Sequence, residues 1–374
     1  MFVVGGYAVI TIEADKIAAF GDADPDSAFV LVTNRRLVSE FSPVSHGKYS
    51  RTFVIPYDAE SPFQSRLGAD IPRRSHILTI LPECLLHSIP REHLLDYKLL
   101  IMACRSGQIG IDGIAHFLRC GYSTDLEKQI STAEELFSKG EASKEFVLLN
   151  KITGTACSFA HLSDAYEWHE QTGFLNWGDQ QVYPAGEVAC FAVPLYLENL
   201  DEGALVALNG EMTLLGPSIV QSGPPSFQLK DQLSIYNKLS VLRSAPLILK
   251  IRDGTIIEHR ALGPEATSAE QILGSLFAVD SRYRNIYEIG FSINEQIEPW
   301  DGNAAMNEVW GQGGGNVHLG LGMLPHTQYH LDLFCSGTQV VNEKHEHVFG
   351  PRTAAPLSTG LRRVKSAGCP CLQA

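Results

Sequence analysis

The pattern of apolar residues changes near residue 150, and this change constrains the fold of the chain more than any other feature of its sequence. Before it, apolar runs such as 28–32, 76–81 and 98–102 alternate with helical stretches. Such runs are typical of strands buried on both faces of a mostly parallel sheet. After residue 150, apolar and polar residues alternate along shorter segments separated by glycine turns, which indicates strands with one buried face.

The length of the chain, 374 residues, corresponds to about two domains. We therefore predict an α/β protein with a Rossmann-like α/β domain over residues 1–149 and an α+β domain over residues 150–366. Residues 367–374 are predicted to form a flexible tail. Its two cysteines, Cys369 and Cys371, could bind a metal or form a strained disulfide, but their terminal position favours a tail without a function.

Two local signals predict individual elements. The Asp253-Gly254 dipeptide stands between two apolar runs, which is typical of a β-hairpin with a two-residue turn. Ser131 is followed three residues later by Glu134. This spacing is that of a capping box, and it predicts a helix over residues 133–139.

Charge and hydropathy exclude several classes of function. The net charge is −13 and no long run of lysine and arginine occurs, so we predict no binding to nucleic acid, which requires a basic surface. No apolar run reaches the roughly 18 residues of a membrane-spanning helix. The first residues lack the basic start and long apolar core of a signal peptide. We therefore expect a cytoplasmic protein without a membrane partner.

The strongest functional signal is a histidine two residues before an aspartate. His330 and Asp332 alternate with Leu331 and Leu333, so in a strand both polar side chains point to one face. One interpretation is a strand whose polar face meets solvent. The other is a divalent metal site, because histidine and carboxylate groups are common metal ligands.

Three further residues favour the metal site. His318 lies in a glycine-rich, strand-like segment, and Glu187 and Glu288 each stand close to a glycine, which allows a backbone to approach a ligand closely. Two ions sharing a carboxylate would use all five groups and would suit the hydrolysis of an amide bond. One ion held by two histidines and one carboxylate would instead leave places for dioxygen and substrate.

The segments that carry these residues resemble the aminopeptidase T family of thermophilic, leucyl aminopeptidase-like metallopeptidases, a family that also includes 2,5-dihydroxypyridine dioxygenases. The similarity covers about residues 151–334 and is weak over the first 150. The segments that carry it occur in the family's order and are Gly154-Thr155, Asn176-Trp177-Gly178, Pro184-Ala185-Gly186-Glu187-Val188, Glu288-Ile289-Gly290-Phe291-Ser292-Ile293-Asn294, Asn316-Val317-His318-Leu319-Gly320-Leu321-Gly322 and His330-Leu331-Asp332.

This resemblance implies a metal-binding domain of the aminopeptidase T type over residues 150–366 and a homodimer. It also implies a set of metal ligands for two ions, expected to be zinc, cobalt or manganese. The dioxygenases of the family have a histidine at the position of Glu288, so the glutamate favours the two-metal peptidase set over a single iron. The implied metal ligands are Glu187, Glu288, His318, His330 and Asp332.

The sequence departs from the peptidases at one catalytic position. Their tyrosine, seven residues after the position of His318, is replaced by Pro325. His326 and Tyr329 are the candidates for its role, and we place Tyr329 in the predicted catalytic set with Glu187 and Glu288. The spacing from His318 to His330 is also shorter than in the peptidases.

Three hypotheses for the function follow. The first is a metal-dependent hydrolase of a peptide or amino-acid amide, in which one of the glutamates, or an additional carboxylate that does not bind the metal, serves as general base for a metal-bound water. The second is a non-catalytic relative that keeps the scaffold and binds a peptide. For the enzyme, the expected substrate is a peptide or an amino-acid derivative. The third is a dioxygenase with one iron.

Overall fold

The computed structural model describes residues 9–84, 86–105, 109–192, 205–222, 229–324 and 326–352. The predicted tail and Pro325 lie outside the described residues. Within the described ranges the strands are β1 (Ile10–Glu13), β2 (Ala28–Thr33), β3 (Phe41–Val44), β4 (Arg51–Pro56), β5 (Ser75–Ile80), β6 (Tyr97–Met102), β7 (Phe146–Asn150), β8 (Thr155–Phe159), β9 (Tyr166–Gln171), β10 (Gln180–Val182), β11 (Glu187–Ala192), β12 (Leu208–Leu214), β13 (Ser218–Ser222), β14 (Leu247–Arg252), β15 (Thr255–Ala261), β16 (Ile286–Ser292), β17 (Asn316–Leu321), β18 (Tyr329–Phe334), β19 (Thr338–Asn342) and β20 (His347–Phe349).

Five α-helices and several short 3₁₀ turns lie in the same ranges. The helices are α1 (Arg91–Leu94), α2 (Ile111–Tyr122), α3 (Leu126–Glu141), α4 (Leu229–Leu239) and α5 (Thr267–Val279). The 3₁₀ turns are Ala14–Lys16, Ala18–Phe20, Arg35–Glu40, Phe63–Arg66, Ser240–Arg243, Pro264–Ala266, Ser281–Arg284 and Ala305–Val309. None of the described helices combines the length and the apolar content that a bilayer crossing requires.

The first sheet has five strands in the order β10-β6-β5-β2-β4, and all neighbouring pairs are parallel. Both of its faces are buried in apolar clusters, because Leu31 and Leu78 point to one side while Val30 and Ile77 point to the other. The sequence prediction of a parallel sheet with continuous apolar strands is confirmed. Strand β10 comes from residues 180–182, so this sheet also includes chain from beyond residue 149.

A small parallel sheet pairs β1 with β3, and the two larger remaining sheets are antiparallel. One has seven strands in the order β15-β14-β12-β8-β7-β19-β20, and one has six in the order β13-β18-β17-β16-β11-β9. A single apolar cluster contains side chains of both sheets. Among them are Leu148 and Leu249 of the seven-stranded sheet and Ile289 and Leu319 of the six-stranded sheet. The fold is therefore a mixed α/β arrangement of parallel and antiparallel sheets, and the six-stranded sheet turns its other face away from this core.

The two local signals have different outcomes. The hairpin is confirmed, since β14 and β15 pair across a turn in which Asp253 and Gly254 both have positive φ, as a type I′ turn requires. The helix predicted over 133–139 exists but its predicted start is wrong. Helix α3 begins at residue 126, because the Asp125 side chain accepts a hydrogen bond from the Lys128 N–H.

Candidate metal centre

The strand register of the six-stranded sheet brings the five predicted ligands to one face. Glu288 on β16 stands opposite Gly320 on β17, and Gly320 stands opposite Asp332 on β18. Residues paired in this way point to the same side of an antiparallel sheet. Glu187 and His318 join them, because β11 and β17 flank β16 and place these side chains on the same side. We call this side of the sheet the ligand face.

Glycines on the ligand face make the space for these groups. A Cβ atom on Gly290 would lie 2.8 Å from Glu187 Oε1 and still closer to the His318 ring. A Cβ atom on Gly320 would lie 2.7 Å from the Glu288 Cβ and closer still to its carboxylate. No side chain fits at either position, so the short distances between the polar groups depend on glycine.

The polar groups form two overlapping sets that share Glu288. His318 Nε2 lies 3.1 Å from Glu187 Oε1 and 3.8 Å from Glu288 Oε1. On the other side, His330 Nε2 lies 3.2 Å from Glu288 Oε2 and 2.7 Å from Asp332 Oδ1. The two oxygens of Glu288 therefore face different histidines, as a bridging carboxylate does.

Glu308 completes the first set. Its Oε1 lies 3.8 Å from His318 Nε2. Sequence reasoning missed this residue because it belongs to the 3₁₀ turn Ala305–Val309 and not to a strand, so no alternation of apolar and polar residues marks it. We refer to the six residues together as the carboxylate–histidine cluster: Glu187, Glu288, Glu308, His318, His330 and Asp332.

Hydrogen bonds on the far side of each histidine direct its lone pair toward the carboxylates. His330 Nδ1 lies 2.8 Å from the Gly322 carbonyl, which can only accept, so Nδ1 carries the proton. His318 Nδ1 lies 3.2 Å from the Ser292 hydroxyl, and that hydroxyl donates its own proton to the Glu308 carbonyl. In the neutral state each Nε2 is thus an acceptor that faces other acceptors.

When both histidines are neutral, as metal ligands are, several buried atoms of the cluster lack a hydrogen bond. They are Glu187 Oε1, His318 Nε2 and Asp332 Oδ1. A divalent cation in the first set would satisfy Glu187 Oε1 and His318 Nε2, and one in the second set would satisfy Asp332 Oδ1. A histidine whose second nitrogen donates to a carbonyl or hydroxyl is the usual form of a metal ligand. The residues present therefore fit a metal ion, and the cluster could hold one.

The electrostatics describe the metal-free cluster. The carboxylates raise the pKa of His318 and of His330 despite burial, so without a metal the protonated histidines balance part of the carboxylate charge. Burial raises the pKa of Glu187 and of Glu308, and the neighbouring carboxylates raise both further. Burial also acts to raise the pKa of Glu288, but its contacts with His318 and His330 outweigh burial and lower that pKa. Four carboxylates share two histidines in this cluster, so negative charge is in excess, and a divalent cation would neutralise it.

Tyr329 is not brought to the cluster. It neighbours His330 on β18, and the alternation of the strand turns its side chain to the opposite face, into the apolar core. Its predicted catalytic role is not supported by this placement. The five predicted metal ligands, in contrast, all lie together on the ligand face. Pro325, where the resemblance placed the family tyrosine, is outside the described residues.

A cavity of about 280 Å³ opens beside the cluster. Its walls combine polar ligand groups with apolar side chains, which is typical of sites for small molecules. The residues that line it are Phe191, Gln221, Tyr287, Glu288, Glu308, Met323, Leu324 and His330. A small substrate in this cavity would therefore contact residues of both overlapping sets.

Comparison with known proteins supports the fold. No protein-family profile matches the sequence, and no curated protein matches it significantly. The structure is similar to that of 2,5-dihydroxypyridine dioxygenase from Pseudomonas putida KT2440, with a TM-score of 0.50 and 16% sequence identity over 88% of this chain and 92% of that chain. At this identity the likeness concerns the fold alone, and it agrees with the resemblance, which included such dioxygenases.

Proposed function

We propose that this protein is a metal-dependent enzyme and that it catalyses the oxygenation of a small ring compound with one iron ion. The observation that carries the proposal is the set of Glu288, His330 and Asp332, of which Glu288 and His330 line the small cavity. This set has one histidine and two carboxylates, where the usual set for such an iron has two histidines and one carboxylate. Three protein ligands still leave coordination positions for dioxygen and substrate. The fold shared with a dioxygenase supports the same reaction class.

The residues around the cavity have distinct roles in this proposal. His330 offers the Nε2 lone pair, since its Nδ1 proton is held by the Gly322 carbonyl. Glu308 lines the cavity but lies outside the three-residue set, so it is placed to accept a proton from the substrate. Bound iron would supply the activation of dioxygen, whose two atoms enter the product as one ring carbon–carbon bond breaks, so that no external reductant is needed.

The size and lining of the cavity support a small substrate. A volume of about 280 Å³ is slightly below the roughly 300–1,000 Å³ of typical ligand pockets. Phe191, Tyr287 and Leu324 supply apolar contacts for a ring, and the carboxylates supply acceptors for its polar substituents. The substrate class of the related structure, a dihydroxypyridine, has these properties.

A two-metal hydrolase of a peptide or amino-acid amide is the second candidate. The observation that favours it is the position of Glu288, whose two oxygens face His318 and His330 separately. Such a carboxylate can bridge two ions about 3.5–4 Å apart. Glutamate at this position is also the peptidase residue in the family resemblance.

Metal analysis and oxygen uptake distinguish the two candidates. Purified protein, prepared without chelator and reconstituted anaerobically with Fe(II), Zn(II) or Mn(II), is analysed for metal per chain. About one iron per chain, with oxygen consumption on a panel of hydroxylated pyridines and phenols, supports the oxygenase. About two zinc or manganese ions, with release of amino acids from a dipeptide panel, support the hydrolase. Absence of any bound metal would contradict both and leave the peptide-binding hypothesis.

A further inference from the structure

Gln221 occupies a position next to the carboxylate–histidine cluster that the proposed function does not use. It lies on β13, the strand at one end of the six-stranded sheet in the described structure. Gln221 stands directly opposite His330 on β18, so both side chains are on the ligand face. It also lines the cavity beside the cluster. Gln221 therefore contacts both the metal ligands and the space for a substrate.

The Gln221 amide distinguishes the two oxygens of Asp332. Its Nε2 donates a hydrogen bond to Asp332 Oδ2 over 3.0 Å. Oδ1 lies 2.7 Å from His330 Nε2, and when that histidine is neutral, as a metal ligand is, no donor within the described structure reaches Oδ1. One oxygen of the carboxylate is thus held by the protein, and the other is left for a cation.

The backbone beside Gln221 is anchored by side chains in place of a further strand. The Val220 N–H donates to Asn303 Oδ1 over 2.8 Å, and Asn303 Nδ2 donates back to the Val220 carbonyl over 2.8 Å. Gln232 Nε2 donates to the same carbonyl over 2.6 Å. These bonds satisfy the outer edge of β13 as a neighbouring strand would, and they fix the position from which Gln221 reaches Asp332.

We infer that Gln221 is a positioning residue of the metal centre, which holds Asp332 Oδ2 so that only Oδ1 is presented to the ion. A carboxylate whose second oxygen is hydrogen-bonded binds a metal through one oxygen and keeps a fixed orientation. Residues that support metal ligands in this way contribute about 10–100-fold to metal affinity. This inference rests on the proposed function, since it requires the cluster to bind a metal.

Cobalt(II) titration of the full-length protein tests the inference. The variant Gln221→Met has a similar size but no donor, and we expect it to weaken cobalt binding about 10–100-fold. Its visible spectrum should also weaken, because Asp332 is then free to bind through both oxygens and the higher coordination number lowers the intensity of cobalt absorption. Gln221→Asn keeps the amide but shortens the side chain by one methylene, and it should show the same changes to a smaller extent.

The controls separate positioning from a loss of structure. Ser222 follows Gln221 on the same strand but points to the other face, so Ser222→Ala should keep both the affinity and the spectrum of the wild type. Thermal unfolding of the metal-free proteins shows whether the Gln221 variants are folded. Wild-type affinity and spectrum in both Gln221 variants would overturn the inference alone. A wild-type protein that binds no cobalt would overturn the proposed function as well.

Discussion

Two buried histidines in two sheets of the molecule have opposite surroundings. His76 on the parallel strand β5 stacks on Phe20 and has its Nδ1 2.8 Å from the Tyr49 hydroxyl. Burial, together with nearby Lys98 and other cations, lowers the pKa of His76 to about 3. His318 on the antiparallel strand β17 is equally buried, but carboxylates surround it and raise its pKa despite burial. Burial of a histidine therefore does not define a metal site; the charge of its neighbours does.

The same contrast holds for the sheets as a whole. The parallel sheet buries apolar side chains on both faces, and its one buried histidine faces aromatic rings and cations. The six-stranded sheet has one apolar face, while glycines and carboxylates occupy the ligand face. In the parallel sheet the sequence pattern serves packing alone. In the six-stranded sheet it also assembles four buried carboxylates around two histidines, and this excess of negative charge favours a bound cation.

The largest expected effect is the loss of a metal ligand. Asp332→Ala and His330→Ala should each weaken metal binding by more than about 100-fold, because even residues that only support ligands contribute 10–100-fold. Metal content after gel filtration, and titration with Co(II), measure this loss. Catalytic turnover should disappear together with the metal.

A histidine–carboxylate pair elsewhere on the ligand face provides the control. His169 Nε2 lies 3.1 Å from Glu167 Oε2 on β9, with about 40% of each side chain exposed. His169→Ala should leave the metal content unchanged, since exposed pairs can be solvated by water. Equal metal loss in the His169 and His330 variants would show that the cluster does not bind the metal.

The next largest effect concerns the glycines of the ligand face. Gly320→Ala would push a methyl group into the Glu288 carboxylate, so we expect weaker metal binding and a loss of about 1–3 kcal/mol in the free energy of unfolding. Gly110→Ala is the control, because a Cβ atom there meets nothing within 4 Å and φ is −82°. Calorimetry and metal titration of both variants test the difference, and similar behaviour would contradict the steric argument.

The sequence predicted the strand-borne part of this site. The alternation of His330 and Asp332 with leucines indicated one polar face, and the structure has it. Glu187, Glu288 and His318 were predicted from neighbouring glycines and from the family resemblance, and the register brings them together. These predictions were possible because a strand has a fixed period of two, so sequence position determines the face.

Other features depend on tertiary structure that no local pattern records. Glu308 reaches the cluster from a 3₁₀ turn, which is held by the Ser292 hydrogen bond to the Glu308 carbonyl and by backbone hydrogen bonds of its neighbours. Tyr329 was predicted as a catalytic residue because its hydroxyl could replace that of the family tyrosine. It is adjacent to His330 in a strand, so its side chain points to the opposite face. The helix begins well before Ser131, because Asp125, six residues earlier, caps it. Both Asp125 and Ser131 are residue types that can cap a helix, and the sequence alone did not show which of them does so.

A smaller effect, in the pH dependence of stability, concerns His76. Its pKa in the folded state, about 3, is below the usual value near 6.5. As the pH falls below about 6.5 the unfolded chain gains a proton that the folded chain does not, so the free energy of unfolding decreases by up to about 1.4 kcal/mol per pH unit. The variant His76→Leu has no imidazole at this position, so it lacks this contribution to the decrease in the free energy of unfolding. Urea unfolding at pH 7 and pH 5 should show a smaller decrease for the variant, and parallel decreases would contradict the assignment.

The smallest effect separates stability from metal binding within the cluster. Burial and the neighbouring carboxylates raise the pKa of Glu308, so its ionised form destabilises the metal-free protein as the pH rises. Glu308→Gln keeps the shape and removes the charge. We expect a melting temperature roughly 1–2 °C higher for the metal-free variant at pH 7–8 and a weaker affinity for Co(II). The difference in melting temperature between the variant and the wild type should grow with pH. It should vanish when metal is present, because the cation neutralises the wild-type carboxylate. A lower melting temperature for the metal-free variant would show that Glu308 is stabilised by its neighbours instead.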